Sequence, residues 1–340
     1  MSINRQSYKA MKKKKRRKRT TLWILTPILV LVLGATSYGA FLYNKAHSVM
    51  DESYQPIERK NSVKAEVKET DPKVDNTSIL FIGVDDSDTR DYDSGSRSDA
   101  LMLATFNEKA KSIKLVSIPR DSYVYIPEVE KEDKITHAHA FGGPAATIET
   151  VEELFDIPVD YYVKMNFNAF IDVVDALGGI EVDVPYELKE MDSKDRKGAI
   201  HLEEGLQELD GEEALALART RKKDSDIERG KRQQEILKAI ISKAVSAKGV
   251  TKYADVIEAV GDNLTTDLSF DDMKSFFDYA AAGTSLQIES LSLKGENSYI
   301  GSVYYYQLDE AELDLTKQLL KSHLGTLTTS DNQYEDNNNF

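Results

Sequence analysis

A long uncharged apolar segment near the N-terminus constrains this chain more than any other feature. Residues 21–43 read TLWILTPILVLVLGATSYGAFLY and contain no charged side chain, and about 20 apolar residues are enough to cross the hydrocarbon core of a bilayer. Residues 1–20 contain ten Lys and Arg and no acidic residue. Because a short basic flank stays in the cytoplasm, we predict a cytoplasmic tail over 1–20, a single transmembrane helix over 21–43 and an extracellular remainder.

Two other interpretations of this region stay open. A cleaved signal peptide would have a shorter apolar core, and residues 34–37 (GATS) resemble a cleavage site only weakly. The basic run would also suit nucleic acid. However, the whole chain has a net charge of −14, and without the ten cations of the tail the remainder has a net charge of −24. Such an acidic domain repels nucleic acid, so we predict no nucleic-acid partner. The absence of cysteine excludes disulfides and is compatible with a Gram-positive cell surface.

The rest of the chain divides into three segments. We predict a polar stalk over 44–76, a folded domain over 77–325 and a disordered Asn- and Asp-rich tail over 326–340. Short apolar runs indicate buried strands at 78–85, 100–107, 113–118, 161–167, 180–184 and 286–293. Helical spacing indicates helices at 145–156, 168–177, 212–221 and 225–246, with Asn168 as the N-cap of the second. This alternation predicts an α/β (α+β) fold with a mixed central β-sheet flanked by helices.

Polar residues follow or precede three of the predicted strands. Asp85 ends the first strand, Arg97 and Asp99 lead into the second, and Arg120 follows the third. Ligands of α/β sheets gather where strands end, and two carboxylates suit Mg²⁺, which completes its shell with water and phosphate oxygens. The alternative is that Asp85 and Asp99 are turn and cap residues.

A second basic group surrounds the start of the long helix at 225–246. Its members are Arg219, Arg221, Arg229, Arg232 and Gln233. Guanidinium groups beside a helix N-terminus bind phosphate well, which indicates a diphosphate ligand. The alternative is a solvated, salt-bridged helix face.

Two shorter patterns have two interpretations each. His137 and His139 form a His-x-His pair that suits either a metal or, as we favour, hydrogen bonds that order a loop. The run Tyr304-Tyr305-Tyr306 suits either stacking on sugar rings or, as we favour, packing within a strand.

Taken together, the motifs resemble the LytR–CpsA–Psr family, and within it the enzymes that ligate wall teichoic acid to peptidoglycan. The resemblance covers about residues 77–246 and rests on the order of Gly83-Val84-Asp85, Arg97-Ser98-Asp99, Ser117-Ile118-Pro119-Arg120-Asp121, Lys134 to Ala138, Val174-Asp175-Ala176-Leu177-Gly178-Gly179, Arg219-Thr220-Arg221 and Asp226 to Gln233. Each motif alone is weak, whereas seven in order are specific. Thr136 departs from the Asn of many relatives.

The resemblance implies a phosphotransferase that moves a glycopolymer, such as teichoic acid, from a polyprenyl diphosphate carrier to a peptidoglycan sugar hydroxyl. It implies catalytic roles for Asp85, Asp99 and Arg120, and Mg²⁺, or alternatively Mn²⁺, at Asp85 and Asp99. The residues that it assigns to the diphosphate are Arg97, Arg120, Arg219, Arg221, Arg229 and Gln233.

The resemblance also implies an apolar pocket for the polyprenyl chain. Phe167, Phe170, Ile171 and Val174 have the spacing of pocket walls and equally that of ordinary core, which we favour. Two other functions stay open: a lipid-diphosphate hydrolase with water as the acceptor, and a non-enzymatic regulator or scaffold of the cell envelope.

Overall fold

The computed structural model describes most of the predicted folded domain. The described residues are 41, 43–44, 47–48, 52–57, 70, 72, 74–85, 96–221, 226–244, 246, 256, 263–269, 271–273, 275–276 and 286–327. The predicted tail 1–20, nearly all of the transmembrane segment, much of the stalk and residues 328–340 lie outside them. No helix within the described ranges is long and apolar enough to span a membrane. Of two units, Met1–Ser48 and Val49–Phe340, the second contains the fold.

A six-stranded sheet forms the centre of this second unit. Its strands, taken across the sheet, are β11 (Leu264–Thr266), β6 (Tyr161–Met165), β1 (Thr77–Val84), β2 (Ser98–Asn107), β3 (Ser112–Ile118) and β12 (Gln287–Ser292). β1 runs parallel to β6 and antiparallel to β2, and β3 runs antiparallel to β2 and parallel to β12. The sheet is therefore mixed, and the predicted fold class is confirmed.

The remaining elements are four two-stranded sheets and five helices in the described ranges. The paired strands are β4 (Tyr123–Ile126) with β5 (Lys131–Lys134), β7 (Ile180–Val184) with β10 (Gly205–Leu209), β8 (Leu188–Glu190) with β9 (Ile200–Leu202), and β13 (Gly295–Ile300) with β14 (Val303–Leu308). The helices are α1 (Thr136–Phe155), α2 (Phe167–Leu177), α3 (Gly211–Arg219), α4 (Asp226–Ala244) and α5 (Glu310–Leu324).

The two faces of the central sheet are used differently. Side chains alternate between the faces of a strand, and Leu80, Leu103 and Val116 point to the face that α1 and α5 cover. There they join one closed core with Phe155 of α1 and Leu320 of α5, all fully buried. The opposite face lies under α2, α3 and α4, and it forms the floor of a cavity.

Two helix boundaries differ from the sequence prediction. α2 is capped by Asn166, not Asn168, because Asn166 is extended and its side chain accepts a hydrogen bond from Ala169 N at 2.9 Å. α1 begins at Thr136 and consists of two helical segments separated by non-helical backbone at Gly142 and Gly143, where Gly143 has φ +64°. The predicted helix at 145–156 corresponds to the second segment, and the first segment was not predicted. The segment of His137 and His139 is therefore helical and is not a loop.

His323 of α5 is a buried titratable group that joins this helix to the sheet. Its Nδ1 lies 2.8 Å from Thr105 Oγ1, and its Nε2 lies 2.9 Å from Ser112 Oγ. Burial, and secondarily the charge of Lys114, lowers the pKa of His323 to about 4. The imidazole is therefore neutral in the folded protein at any pH above that value.

We expect His323 to make the fold less stable in mild acid. Between pH 6.5 and 4 the unfolded chain protonates this histidine and the folded chain does not, so the free energy of unfolding falls as the pH falls. From pH 7.5 to pH 5 this one group accounts for about 2 kcal/mol. His323→Gln should remove that part of the pH dependence in urea unfolding followed by circular dichroism.

The matched control is His201→Gln, because the His201 side chain is 47% exposed. It shows the effect of replacing an exposed histidine by glutamine. An unaltered slope in His323→Gln would contradict the assignment.

Candidate active site

A cavity of about 630 Å³ lies between the central sheet and helices α2 to α4. This volume is within the usual range of ligand pockets. Most of its walls are apolar: the sheet provides Ile79, Phe81, Met102, Phe106, Ile113, Val163 and Met165, and the helices provide Phe167, Phe170, Val173, Leu215, Ile236, Leu237, Ile240 and Ile241. The shape and lining therefore suit a long apolar ligand.

Residues after 250, whose role the sequence leaves open, close part of this cavity. Leu268, Met273, Phe276 and Leu286 all contribute to its lining. Phe276 packs edge to face on Phe106, with 5.0 Å between ring centroids. The C-terminal third of the domain is thus part of the pocket wall.

The polar lining residues lie at one end of the cavity, which we call the mouth. They come from the end of β1, the start of β2, the second residue after β3, the residue between β6 and α2, the end of α3 and the start of α4. Because β1 and β3 both run antiparallel to β2, these strand ends meet at one edge of the sheet. The mouth residues are Asp85, Asp99, Arg120, Asn166, Arg219, Arg221, Arg229 and Gln233.

A β-bulge turns Asp99 into the mouth. Gly83 pairs with Ala100 and Val84 pairs with Ser98, so Asp99 is the extra residue on β2. In a regular strand, Asp99 and Ala100 would face opposite sides, yet both line the cavity. Bulges commonly re-aim side chains near functional sites, and this one brings Asp99 to the same edge as Asp85.

Arg120 is held at the mouth by carboxylates on either side. Its Nη1 lies 2.6 Å from Asp99 Oδ1, and its Nε lies 3.8 Å from Asp121 Oδ2. Lys134 Nζ contacts the other oxygen of Asp121 at 2.7 Å. Arg120 Nε is buried, and no described residue accepts a hydrogen bond from it. The contacts with Asp99 and Asp121 therefore orient the guanidinium at the mouth.

The cationic side of the mouth is the corner between α3 and α4. Arg219, at the end of α3, stacks on the Phe167 ring with 4.5 Å from the guanidinium carbon to the centroid, a favourable cation–π arrangement. Arg229 is 5% exposed in the first turn of α4, and Gln233 Nε2 donates to Ala218 O at 3.3 Å. Arg221 is exposed and also lines the cavity.

Close packing of α4 on the sheet positions this corner. A Cβ on Gly230 would lie 2.6 Å from Ser117 Oγ and 3.2 Å from Ser117 Cβ of β3, so glycine allows this approach without a shift of the serine side chain. Gln234 Nε2 donates to Leu115 O at 3.2 Å and Leu291 O at 2.8 Å, which ties the helix to β3 and β12. Arg232, predicted with the diphosphate group, donates instead to backbone carbonyls at the end of α3.

Not all predicted site residues meet at the mouth. Arg97 is exposed and is not among the lining residues that the structure describes, so its contact with a diphosphate stays a prediction.

Of the predicted wall residues, Phe167 and Phe170 line the cavity, whereas Val174 is fully buried in a separate core. Ile171 does not line the cavity. Asn166 was missed by the sequence analysis because it was taken as part of a strand.

The mouth offers two carboxylates to a divalent cation. Among the described residues there is no cluster of three or more His, Cys, Asp or Glu that would hold a metal alone. A site at Asp85 and Asp99 would thus need water and phosphate oxygens to complete its shell, which is how Mg²⁺ is commonly bound. His137 and His139 contact different groups, Asp133 and Ser96 O respectively, so they do not form a shared metal site.

Known protein families, sequences and structures match this chain over most of its length. The model of the LytR_cpsA_psr family matches residues 40–322. The polyisoprenyl-teichoic acid–peptidoglycan teichoic acid transferase TagT of Bacillus subtilis (strain 168) is 41% identical over 321 residues, which cover 92% of this chain and 98% of the relative.

Two solved structures of TagT with bound molecules are also similar. TagT bound to LIIa-WTA has a TM-score of 0.68 and 44% identity. The match covers 79% of this chain and 100% of the TagT chain. TagT with bound octaprenyl pyrophosphate lipid has a TM-score of 0.63 and 41% identity. That match covers 80% of this chain and 99% of the TagT chain. The family match and these similarities extend over most of the chain, and we conclude that it belongs to the LytR–CpsA–Psr family.

Proposed function

We propose that this chain is a phosphotransferase that moves a teichoic-acid glycopolymer from a polyprenyl diphosphate carrier to a sugar hydroxyl of peptidoglycan. The observation that carries this proposal is the polarity of the cavity, which is apolar along its walls and cationic at its mouth. A polyprenyl chain matches the walls, and a diphosphate matches the guanidinium groups. The transferase name of the TagT relative and its structure with octaprenyl pyrophosphate support this assignment.

The chemistry requires positioning and charge neutralisation more than a protein nucleophile. The acceptor hydroxyl oxygen attacks the phosphorus attached to the glycopolymer, a new phosphodiester bond forms, and the bond to the polyprenyl phosphate breaks. Arg120, Arg219, Arg221 and Arg229 stabilise the negative charge on the phosphate oxygens, with Gln233 as an uncharged donor. The proton of the hydroxyl passes to a carboxylate at the mouth, Asp85 or Asp99.

Asp85 and Asp99 would also hold Mg²⁺, or Mn²⁺ in its place. When bound, this cation supplies positive charge beside the diphosphate. Asp99 already pairs with Arg120, so the same carboxylate would both align the guanidinium and bind the cation. Arg97 would contact the diphosphate from the segment before β2.

The apolar segment 21–43 anchors the enzyme in the cell membrane, with the basic tail 1–20 in the cytoplasm and the catalytic domain at the cell surface. The charge difference between the tail and the remainder supports this topology through the positive-inside rule. An enzyme anchored beside the bilayer is close to a lipid-linked donor. Peptidoglycan is reached from the same side.

We expect Arg219→Ala and Arg120→Ala to lower the rate of transfer by about 10²- to 10³-fold, as removal of a transition-state donor commonly does. The assay follows movement of labelled polymer from lipid diphosphate to peptidoglycan by the full-length enzyme in detergent with Mg²⁺. Lys189→Ala is the control, because Lys189 is a cation whose side chain is 65% exposed, pairs with Glu187 and lies outside the cavity lining.

If Arg219→Ala transferred polymer at the full rate, Arg219 would not be part of the active site. Polymer released into water, rather than joined to glycan, would identify a hydrolase instead. Loss of function on replacement of the basic tail by another anchor would favour a regulator or scaffold.

A second prediction concerns the apolar walls. Val173→Trp adds bulk to a residue that lines the cavity and is only partly buried, so it should raise the KM for long-chain polyprenyl donors by about tenfold. Donors with a short prenyl chain should be affected far less, because they fill less of the cavity. Leu319→Trp, at a 45% exposed position on α5, is the control. Equal effects on long and short donors would show that the chain binds elsewhere.

A further inference from the structure

Five tyrosines lie on two neighbouring hairpins, and four of them form two ring pairs that both adjoin Lys134. We call this the tyrosine surface; its members are Tyr123, Tyr125, Tyr299, Tyr304 and Tyr305. The ring centroids of Tyr123 and Tyr305 are 4.8 Å apart, and those of Tyr299 and Tyr304 are 5.6 Å apart. Tyr299 is 69% exposed and Tyr125 is 43% exposed. Much aromatic area therefore faces solvent.

The exposed rings are not needed to fill the core. Their neighbour Tyr306 is 5% exposed and belongs to the closed core beneath the sheet. The sequence interpretation of this run as strand packing therefore holds for Tyr306. Tyr304 and Tyr305 are only partly buried. Solvent-facing aromatic clusters of this kind commonly mark binding surfaces.

A continuous series of contacts links the tyrosine surface to the mouth. Arg120 contacts Asp121, and Asp121 contacts Lys134. Lys134 Nζ lies 5.7 Å from the ring centroid of Tyr304 and 5.6 Å from that of Tyr305. A ligand on these rings is therefore a short distance from the group that pairs with Asp99.

The backbone fixes the two hairpins to each other at the same point. Tyr306 N donates to Asp121 O at 2.8 Å, and Ser122 forms a β-bridge with Tyr306. Asp121 and Ser122 directly follow Arg120 in the chain. The tyrosine surface is thus held in register with the mouth by hydrogen bonds of the backbone, independent of side-chain rotamers.

The chemistry of the tyrosine surface suits a glycan. Pyranose rings present C–H faces that pack on aromatic rings, and their hydroxyls need donors and acceptors at the ring edges. Exposed Glu132, Glu296 and Asn297 lie on the same two hairpins, and Tyr304 OH donates to Asn297 Oδ1 at 2.9 Å. Carboxylate and amide oxygens at the ring edges accept hydrogen bonds from sugar hydroxyls.

We infer that the tyrosine surface binds the glycan strand of peptidoglycan and presents its hydroxyl to the mouth. This inference rests on the proposed transferase function, and it names the part of the protein that holds the acceptor. The donor occupies the cavity from within, and the acceptor approaches over the two hairpins. Lys134 lies between the rings and Asp121, which contacts Arg120 of the mouth.

The test measures binding of peptide-free peptidoglycan glycan strands to the full-length protein in detergent, without donor. Tyr125→Ala combined with Tyr299→Ala should weaken binding by about tenfold, as loss of two aromatic contacts predicts. Both side chains are substantially exposed, so the fold should survive, and the thermal midpoint checks this. The corresponding pair of Phe substitutions keeps the rings and should stay within about twofold of the unchanged protein.

Tyr54→Ala is the matched control, because Tyr54 is 42% exposed, nearly the same as Tyr125. It should leave glycan binding unchanged. In the transfer assay, the alanine pair should raise the KM for glycan and leave the KM for the lipid diphosphate donor unaltered. Unchanged glycan binding by the alanine pair, or an equal loss in Tyr54→Ala, would overturn the inference.

Two further outcomes separate this inference from related hypotheses. If the alanine pair instead loses binding to phosphatidylglycerol vesicles and keeps glycan binding, the surface contacts the membrane and the inference fails. If Arg219→Ala retains full transfer while the alanine pair still loses glycan binding, the proposed donor site fails and the glycan surface stands.

Discussion

The alternation of side chains along β1 and β2 is the constraint on which the rest of this structure depends. One set of alternate residues, such as Leu80 and Leu103, is sealed into a closed core by α1 and α5. The other set, such as Phe81 and Met102, forms the floor of a cavity. The sheet thus obtains its stability from one face, because burial of apolar area drives folding, and leaves the other face available to an apolar ligand.

The mouth concentrates charge in a domain that is strongly acidic outside it. Three of the four arginines there have a local reason for their position: Asp99 pairs with Arg120, the Phe167 ring supports Arg219, and close packing around Gly230 places Arg229. Such preorganisation matters because donors that are already oriented need no rearrangement when charge develops on a phosphate. The apolar walls and the cationic end together match an amphiphile with a phosphorylated head group.

The loop after β3 connects the mouth with the tyrosine surface. Arg120 belongs to the mouth, and the next residues, Asp121 and Ser122, bind the backbone of Tyr306 and so hold the β13–β14 hairpin. Donor and acceptor would therefore be aligned by one short stretch of backbone. This arrangement explains how a transferase would favour a bulky glycan over water without a lid among its described residues: the acceptor is positioned by a separate, adjoining surface.

The sequence alone determined the fold class, most strand and helix positions, and the cationic and acidic residues that gather at the mouth, because periodicity and strand ends are local properties of the chain. It did not determine the bulge that turns Asp99, the N-cap at Asn166, the solvent-facing position of Arg97, or the exposure of Tyr299. These features depend on strand register and on which elements cover each face, and both arise from contacts between residues distant in sequence. Periodicity shows that Phe170 and Val174 lie on one side of a helix, but only the tertiary packing decided that Phe170 borders a cavity and Val174 is buried in core.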